Sequence, residues 1–178
     1  MFELFKEEEE RFSWDDIGDI KEGRQNLGEQ MPVAVFRLFQ YSIKQVLADK
    51  YGKDETIRIF RESGELAGRE FALNNLQLSL EWNEFTAHLQ QVLETMKIGI
   101  LRVEKFDFET GHAVLTIGED IDCSGLPVTG ETVCNYDEGF LAGILKEYTK
   151  QEYVVTEVDC WATGSRVCRF EAHIDHKE

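Results

Sequence analysis

Proline is scarce in this chain, with 2 in 178 residues, and no Ser- or Gly-rich tract leaves room for a long linker. The length predicts one domain over residues 32–178, preceded by an N-terminal extension over 1–31. Positive charge is also in short supply. Against 35 Asp and Glu stand 19 Lys and Arg, a formal net charge of −16. Such a surface repels phosphate backbones and anionic headgroups, so nucleic-acid and membrane partners are disfavoured. No apolar run reaches spanning length, and "MFELFKEEEE" lacks the basic segment and hydrophobic core of a secretory leader. A cytoplasmic protein is expected. Cofactor and nucleotide motifs are missing too: no Gly-x-Gly-x-x-Gly after a strand, no Gly-x4-Gly-Lys-Ser/Thr loop, no Ser/His/Asp grouping.

What is present is apolar and aromatic. Hydrophobic residues make up 42 %, including 12 Phe, 5 Tyr and 3 Trp, enough to bury a core that a disordered chain would lack. "MFELFKEEEERF" reads as a short helix with Glu7–Glu10 on a solvated face, and "DIGDIKEGRQNLG" as a turn-rich or strand-like entry. Pro32 suits a first helical position, and Phe36, Phe39, Ile43, Val46 and Leu47 repeat at helical spacing up to Gly52. A second helix follows Asp54, with Ile57, Phe60, Gly64, Ala67 and Phe71 on one face. A third starts near Ser79, with Trp82, Phe85, Leu89, Val92 and Met96 in register.

After Lys97 the period changes to that of strands. "IGILRVEKFDF" and "HAVLTIG" form a hairpin, "DCSGLPVTGET" a loop, "YDEGFLAGILKEYTK" a helix, and "EYVVTEVDCW" with "RVCRFEAHI" a second hairpin. The result is an α+β fold, helices packed on a mostly antiparallel sheet. Gly64/Gly68 and Gly139/Gly143 each cost their helix about 1 kcal/mol relative to alanine, which points to close helix packing within the core or a dimer.

The four cysteines, Cys123, Cys134, Cys160 and Cys168, all lie in the last third of the chain. In a reducing compartment lasting disulfides are rare, and metal or catalytic roles gain weight. A three-residue turn at Thr163-Gly164-Ser165 would pair 162 with 166, 161 with 167, and 160 with 168. Two opposed thiols on one face can share a tetrahedral ion. Glu157, three residues before Cys160, points to the other face unless the strand bulges. Cys134 can approach from the next element, and spacing alone does not choose between Glu157 and Cys123 as a fourth ligand. Cys-x7-Cys is not a standard zinc-finger spacing, so buried core thiols are the competing reading.

Taken together, Cys134, Gly139-x3-Gly143 and Glu157-x2-Cys160-x7-Cys168 resemble the 4-vinyl-reductase-type (4VR) domain. That family includes the sensory domains of bacterial phenol- and xylene-responsive activators and is similar in fold to vesicle-tethering TRAPP subunits. The resemblance implies a structural zinc on Cys134, Glu157, Cys160 and Cys168, with Cys123 outside. It also implies a homodimer and a cavity for a small apolar or aromatic ligand. Candidate walls are Phe36, Phe39, Trp82, Phe85, Phe140, Val155 and Trp161, with His88 as a polar partner for the ligand. At their helical or strand spacing these residues serve equally as plain core. The expected function is a ligand-binding sensory domain that signals through a dimer or an unidentified protein partner. Two alternatives stand beside it: a reductase of a vinyl group on a tetrapyrrole precursor using an external donor, and a non-catalytic assembly scaffold.

Overall fold

A computed structural model describes residues 12–176, which fall into two compact units, Met1–Gln30 and Met31–Glu178. The proposed helix with its Glu7–Glu10 face lies outside the described residues. In the first unit the Ser13 N–H donates to the Asp16 carboxylate (2.7 Å) at the start of a 3-10 turn, Trp14–Ile17. Asp19 then caps a one-turn helix, α1 (Ile20–Gly23), by accepting from the Glu22 N–H at 2.9 Å. This stretch is turn-rich, and no strand forms in it.

The second unit runs α2 (Val33–Tyr51), α3 (Lys53–Asn75), α4 (Trp82–Thr95), β1 (Ile100–Phe106), β2 (Ala113–Gly118), α5 (Asn135–Thr149), β3 (Tyr153–Asp159) and β4 (Val167–Ile174). Pro32 caps α2 instead of opening it, and Gly52, at φ +86°, turns the chain from α2 into α3. The sheet order is β1-β2-β4-β3 and every pairing is antiparallel. The expected α+β architecture is therefore the observed one. Alternation along β4 sends Cys168, Phe170 and Ala172 inward, against Ala113, Leu115 and Ile117 of β2. No described helix is long and apolar enough to cross a membrane.

The two glycine pairs face each other. A Cβ on Gly64 would lie 2.0 Å from the Tyr136 carbonyl oxygen, and one on Gly68 2.1 Å from that of Phe140. Reciprocally, a Cβ on Gly139 would meet the Arg61 carbonyl at 1.9 Å, and one on Gly143 the Glu65 carbonyl at 2.3 Å. Helices α3 and α5 thus touch backbone to backbone within one chain, and the lost propensity is offset by burial of α5 almost throughout, from Asp137 to Leu145.

Helix α2 is held differently. None of its residues is fully buried, and its grip on the domain is polar. Arg37 donates to the carbonyls of Ile121 (2.6 Å) and Ser124 (3.0 Å), Tyr41 to that of Asp122 (3.2 Å), and Lys44 to that of Val133 (2.9 Å). These bonds clamp the segment between β2 and α5, which carries Cys123 and ends at Cys134.

Candidate functional site

The local irregularities of three elements bring the sulfurs together. β3 bulges between Glu157 and Asp159: Glu157 pairs with Phe170, but Asp159 pairs with Arg169. The extra residue breaks the alternation, so Glu157 and Cys160 are both buried although three positions apart. The register of Asp159 with Arg169 carries Cys160 across from Cys168, as the hairpin arithmetic expects. The turn itself differs. A 3-10 turn, Trp161–Thr163, replaces the pairs 161–167 and 162–166, because the Thr163 hydroxyl accepts from the Cys160 N–H (3.0 Å) and donates to its carbonyl (2.8 Å). Thr129 and Gly130 donate to the Ala162 carbonyl at 2.8 and 2.9 Å, tying the Cys123–Cys134 segment onto this turn.

The ligand atoms of Cys123, Cys134, Glu157, Cys160 and Cys168 all lie within 4.8 Å of one another, and all five residues are buried. The four cysteines are free thiols. Cys134 Sγ stands 3.8 Å from Cys160 Sγ and 3.8 Å from Cys168 Sγ. Two sulfurs bound tetrahedrally at about 2.3 Å lie about 3.8 Å apart, so these separations have the size of a zinc–thiolate edge. Cys123 Sγ lies 3.0 Å from Cys168 Sγ, too near to occupy a separate vertex of the same tetrahedron. Glu157 offers another donor. Its Oε2 accepts the N–H groups of Cys134 (2.9 Å) and Val133 (3.1 Å), while Oε1 is buried without a hydrogen-bond partner. One oxygen is fixed and the other is free, an arrangement suited to a metal-binding carboxylate. The donor set therefore fits zinc.

The electrostatic setting points the same way. Burial raises the Glu157 carboxyl to about 8 and the Asp122 carboxyl to about 7, and it raises Asp120 and Asp137 as well. So many buried groups that resist ionisation together are what a divalent cation would neutralise. The Ala162 N–H donates to the Cys160 sulfur. Glu138 braces the cluster from below: Oε1 accepts the Glu157 N–H at 2.9 Å and Oε2 pairs with Arg61 of α3. Glu138, Asp120, Asp122 and Asp137 were missed in the sequence, where acids in so acidic a chain carry no mark of burial.

An open apolar groove of about 280 Å³ lies between α2 and α3, lined by Phe36, Phe39, Gln40, Ile43, Leu47, Ile59, Phe60, Ser63 and Tyr136. The eight expected ligand-wall residues are not gathered there. Phe36 and Phe39 line it, but Phe140 packs edge-on against Phe71 (5.1 Å) beside the α3–α5 crossing. Trp82 and Phe85 join an aromatic cluster, with Trp82 on Phe106 (3.8 Å) and Phe85 stacked on Tyr148 (3.9 Å). His88 follows on the same helix, half-buried, with Nε2 unpartnered. Val155 is buried on β3 beside Gly139 and Ala142, and Trp161 sits under the Arg166 guanidinium at 4.7 Å.

Residues 113–174, which span β2, α5, the last hairpin and all four cysteines, match the model of the 4VR domain. Two uncharacterized proteins of Methanocaldococcus jannaschii, MJ1642 and MJ0150, are each 26 % identical to this chain. They align over 86 % and 85 % of it, and over 85 % and 80 % of their own lengths. Among solved structures, a vinyl-4-reductase family protein from the same organism superposes with a TM-score of 0.61 at 20 % identity, covering 93 % of this chain and 98 % of that one. The phenol-responsive sensory domain of the transcription activator PoxR, with phenol, reaches 0.64 at 12 % identity over 85 % of this chain and 79 % of its own. A trafficking protein particle complex subunit 3 from Naegleria fowleri, covalently bound to palmitic acid, reaches 0.60 at 11 % identity over 82 % and 95 %. The family resemblance carried by the cysteines and glycines thus holds over residues 113–174. The fold kinship with a phenol sensor and a tethering subunit is the one that resemblance implied.

Proposed function

We propose that residues 32–178 form a non-catalytic ligand-binding domain, with residues 1–31 as an extension. The domain takes a small apolar or aromatic molecule in the groove between α2 and α3. Cys134, Glu157, Cys160 and Cys168 hold a structural zinc, which cross-links the last hairpin to the start of α5. The observation that carries this reading is that groove and thiol cluster share residues of the same segments. Gln40 lines the groove and donates to the Asp122 carboxylate (2.7 Å), next to Cys123; Tyr136 lines the groove two residues after Cys134. Occupancy of the groove is therefore sensed where the cluster is anchored. PoxR's sensory domain, of like fold, is phenol-responsive, which supports a ligand of that chemical class.

Native mass spectrometry of protein purified without added metal tests both parts. We expect one zinc-sized adduct, lost in Cys134→Ser and Cys160→Ser. Phenol, used as the probe in calorimetry, should bind wild type, and Ser63→Phe, which fills the groove, should abolish that heat without removing zinc. A bare polypeptide mass with four freely alkylated thiols removes the metal reading. Phenol binding unchanged by Ser63→Phe removes the groove.

The signal would leave through α2, to a second copy or a protein partner. Val35 (50 %), Leu38 (73 %) and Val46 (51 %) are exposed along this helix, an apolar surface suited to a homodimer contact and equally to a scaffold role. Light scattering should give a dimer mass that Leu38→Glu reduces to that of a monomer; a wild-type monomer at all concentrations rejects the contact.

A further inference from the structure

We propose a second metal site, on the solvent face of the sheet, in which His112, Glu171 and His173 bind a first-row divalent cation that favours imidazole, such as Ni2+ or Zn2+. The register builds it. Ala113 pairs with Ala172, so His112, one residue before β2, comes across from His173, and Glu171 lies two positions along β4 on the same face. One ligand atom from each of the three lies within 4.8 Å of the others. The two imidazoles face each other, ring centroids 4.6 Å apart and planes within 7°. The side chains of His173 and Glu171 are 59 % and 47 % exposed, so the site is open to solvent.

The turn before His112 is built to hold it there. Asp107 Oδ1 accepts the N–H groups of Glu109 (2.9 Å) and Thr110 (3.2 Å), and the His112 carbonyl accepts the Asp107 N–H at 2.8 Å. Gly111, at φ +67°, lets the turn settle onto the end of β4: a Cβ there would sit 2.2 Å from Ile174 Cδ1. The donors are two nitrogens and a carboxylate, with no sulfur, which selects against the soft thiophilic ions and against hard Mg2+ and Ca2+. Three protein ligands leave positions for water, so the ion would exchange readily, unlike one enclosed by the thiol cluster. Lys105 opposes it. Its Nζ lies 3.3 Å from His112 Nδ1 and places a positive charge beside the incoming cation. This site stands or falls independently of the groove and the cysteine cluster.

The test titrates Ni2+ into the full chain, zinc-loaded at the cysteines, with calorimetry and histidine ring NMR as readouts. One Ni2+ per chain should broaden the rings of His112 and His173. His112→Ala and His173→Ala should each weaken binding by at least about 100-fold, beyond the 10–100-fold cost of losing even an outer-sphere partner. Lys105→Gln should tighten binding, and His176→Ala, in the tail, should leave it unchanged. Unaltered thermal midpoints will show that these exposed variants are folded. Wild-type affinity in both the His112 and His173 variants overturns the proposal. So does binding lost only with His176→Ala, or Ni2+ uptake matched by zinc release.

Discussion

Glu157 is held by one oxygen and left free at the other, and Cys123 is the thiol crowded against Cys168. That contrast assigns the fourth ligand of the proposed zinc. Glu157→Gln keeps the size of the side chain but removes its charge, so zinc affinity in chelator competition should fall at least about tenfold. Cys123→Ser should retain one zinc per chain. The reverse pattern would make Cys123 the ligand. At this scale the sequence was informative for the thiols, whose spacing is unusual enough to register, and silent for Asp120, Asp122, Asp137 and Glu138. Those acids are buried because the segment after β2 and the first turn of α5 fold in around the sulfurs, a long-range outcome that no local pattern encodes.

Between elements, the contact of α3 with α5 sets how close the groove-bearing helices come to the sheet. Gly68→Ala and Gly143→Ala each gain about 1 kcal/mol of helix propensity. Against that gain stands a Cβ 2.1 or 2.3 Å from a backbone carbonyl oxygen, which no side-chain rotation relieves. Overpacking of this kind costs about 1–3 kcal/mol or more, and here backbone must yield, so the cost should exceed the gain. We expect each variant to lower the thermal midpoint by several degrees, at about 2–4 °C per kcal/mol for a domain of this size. A midpoint at or above wild type would mean that the helices do not meet as described. The helices and strands themselves were readable from their 3.6- and 2-residue periods. The bulge in β3 was named only as a condition for Glu157 to join the thiols. The 3-10 turn escaped because the hydroxyl of Thr163 closes it locally, while the Ala-Thr-Gly-Ser stretch reads equally as a short hairpin loop. An apolar stripe such as Phe36/Phe39 marks a buried face by period alone; that it lines an open groove depends on where α3 stops short of it.

For the molecule as a whole, the segment from Asp120 to Cys134 is the shared part. It is clamped by the polar face of α2, tied to the 160–163 turn, and carries two of the cysteines. A ligand that shifts α2 moves Gln40 and hence Asp122, so groove and cluster should be thermodynamically coupled, and linkage requires the coupling to be equal in both directions. Phenol should change zinc affinity by the same factor by which zinc changes phenol affinity, and couplings of this kind are typically about 1–3 kcal/mol. Gln40→Met keeps the groove apolar and of similar volume but removes the 2.7 Å hydrogen bond to Asp122. The variant should still bind both phenol and zinc, with the coupling factor reduced toward one. Four calorimetric titrations decide it: phenol with and without zinc, in wild type and in the variant. If the wild-type factor is already one, α2 reports nothing to the thiol cluster, and the domain binds its ligand without relaying that event through Asp122.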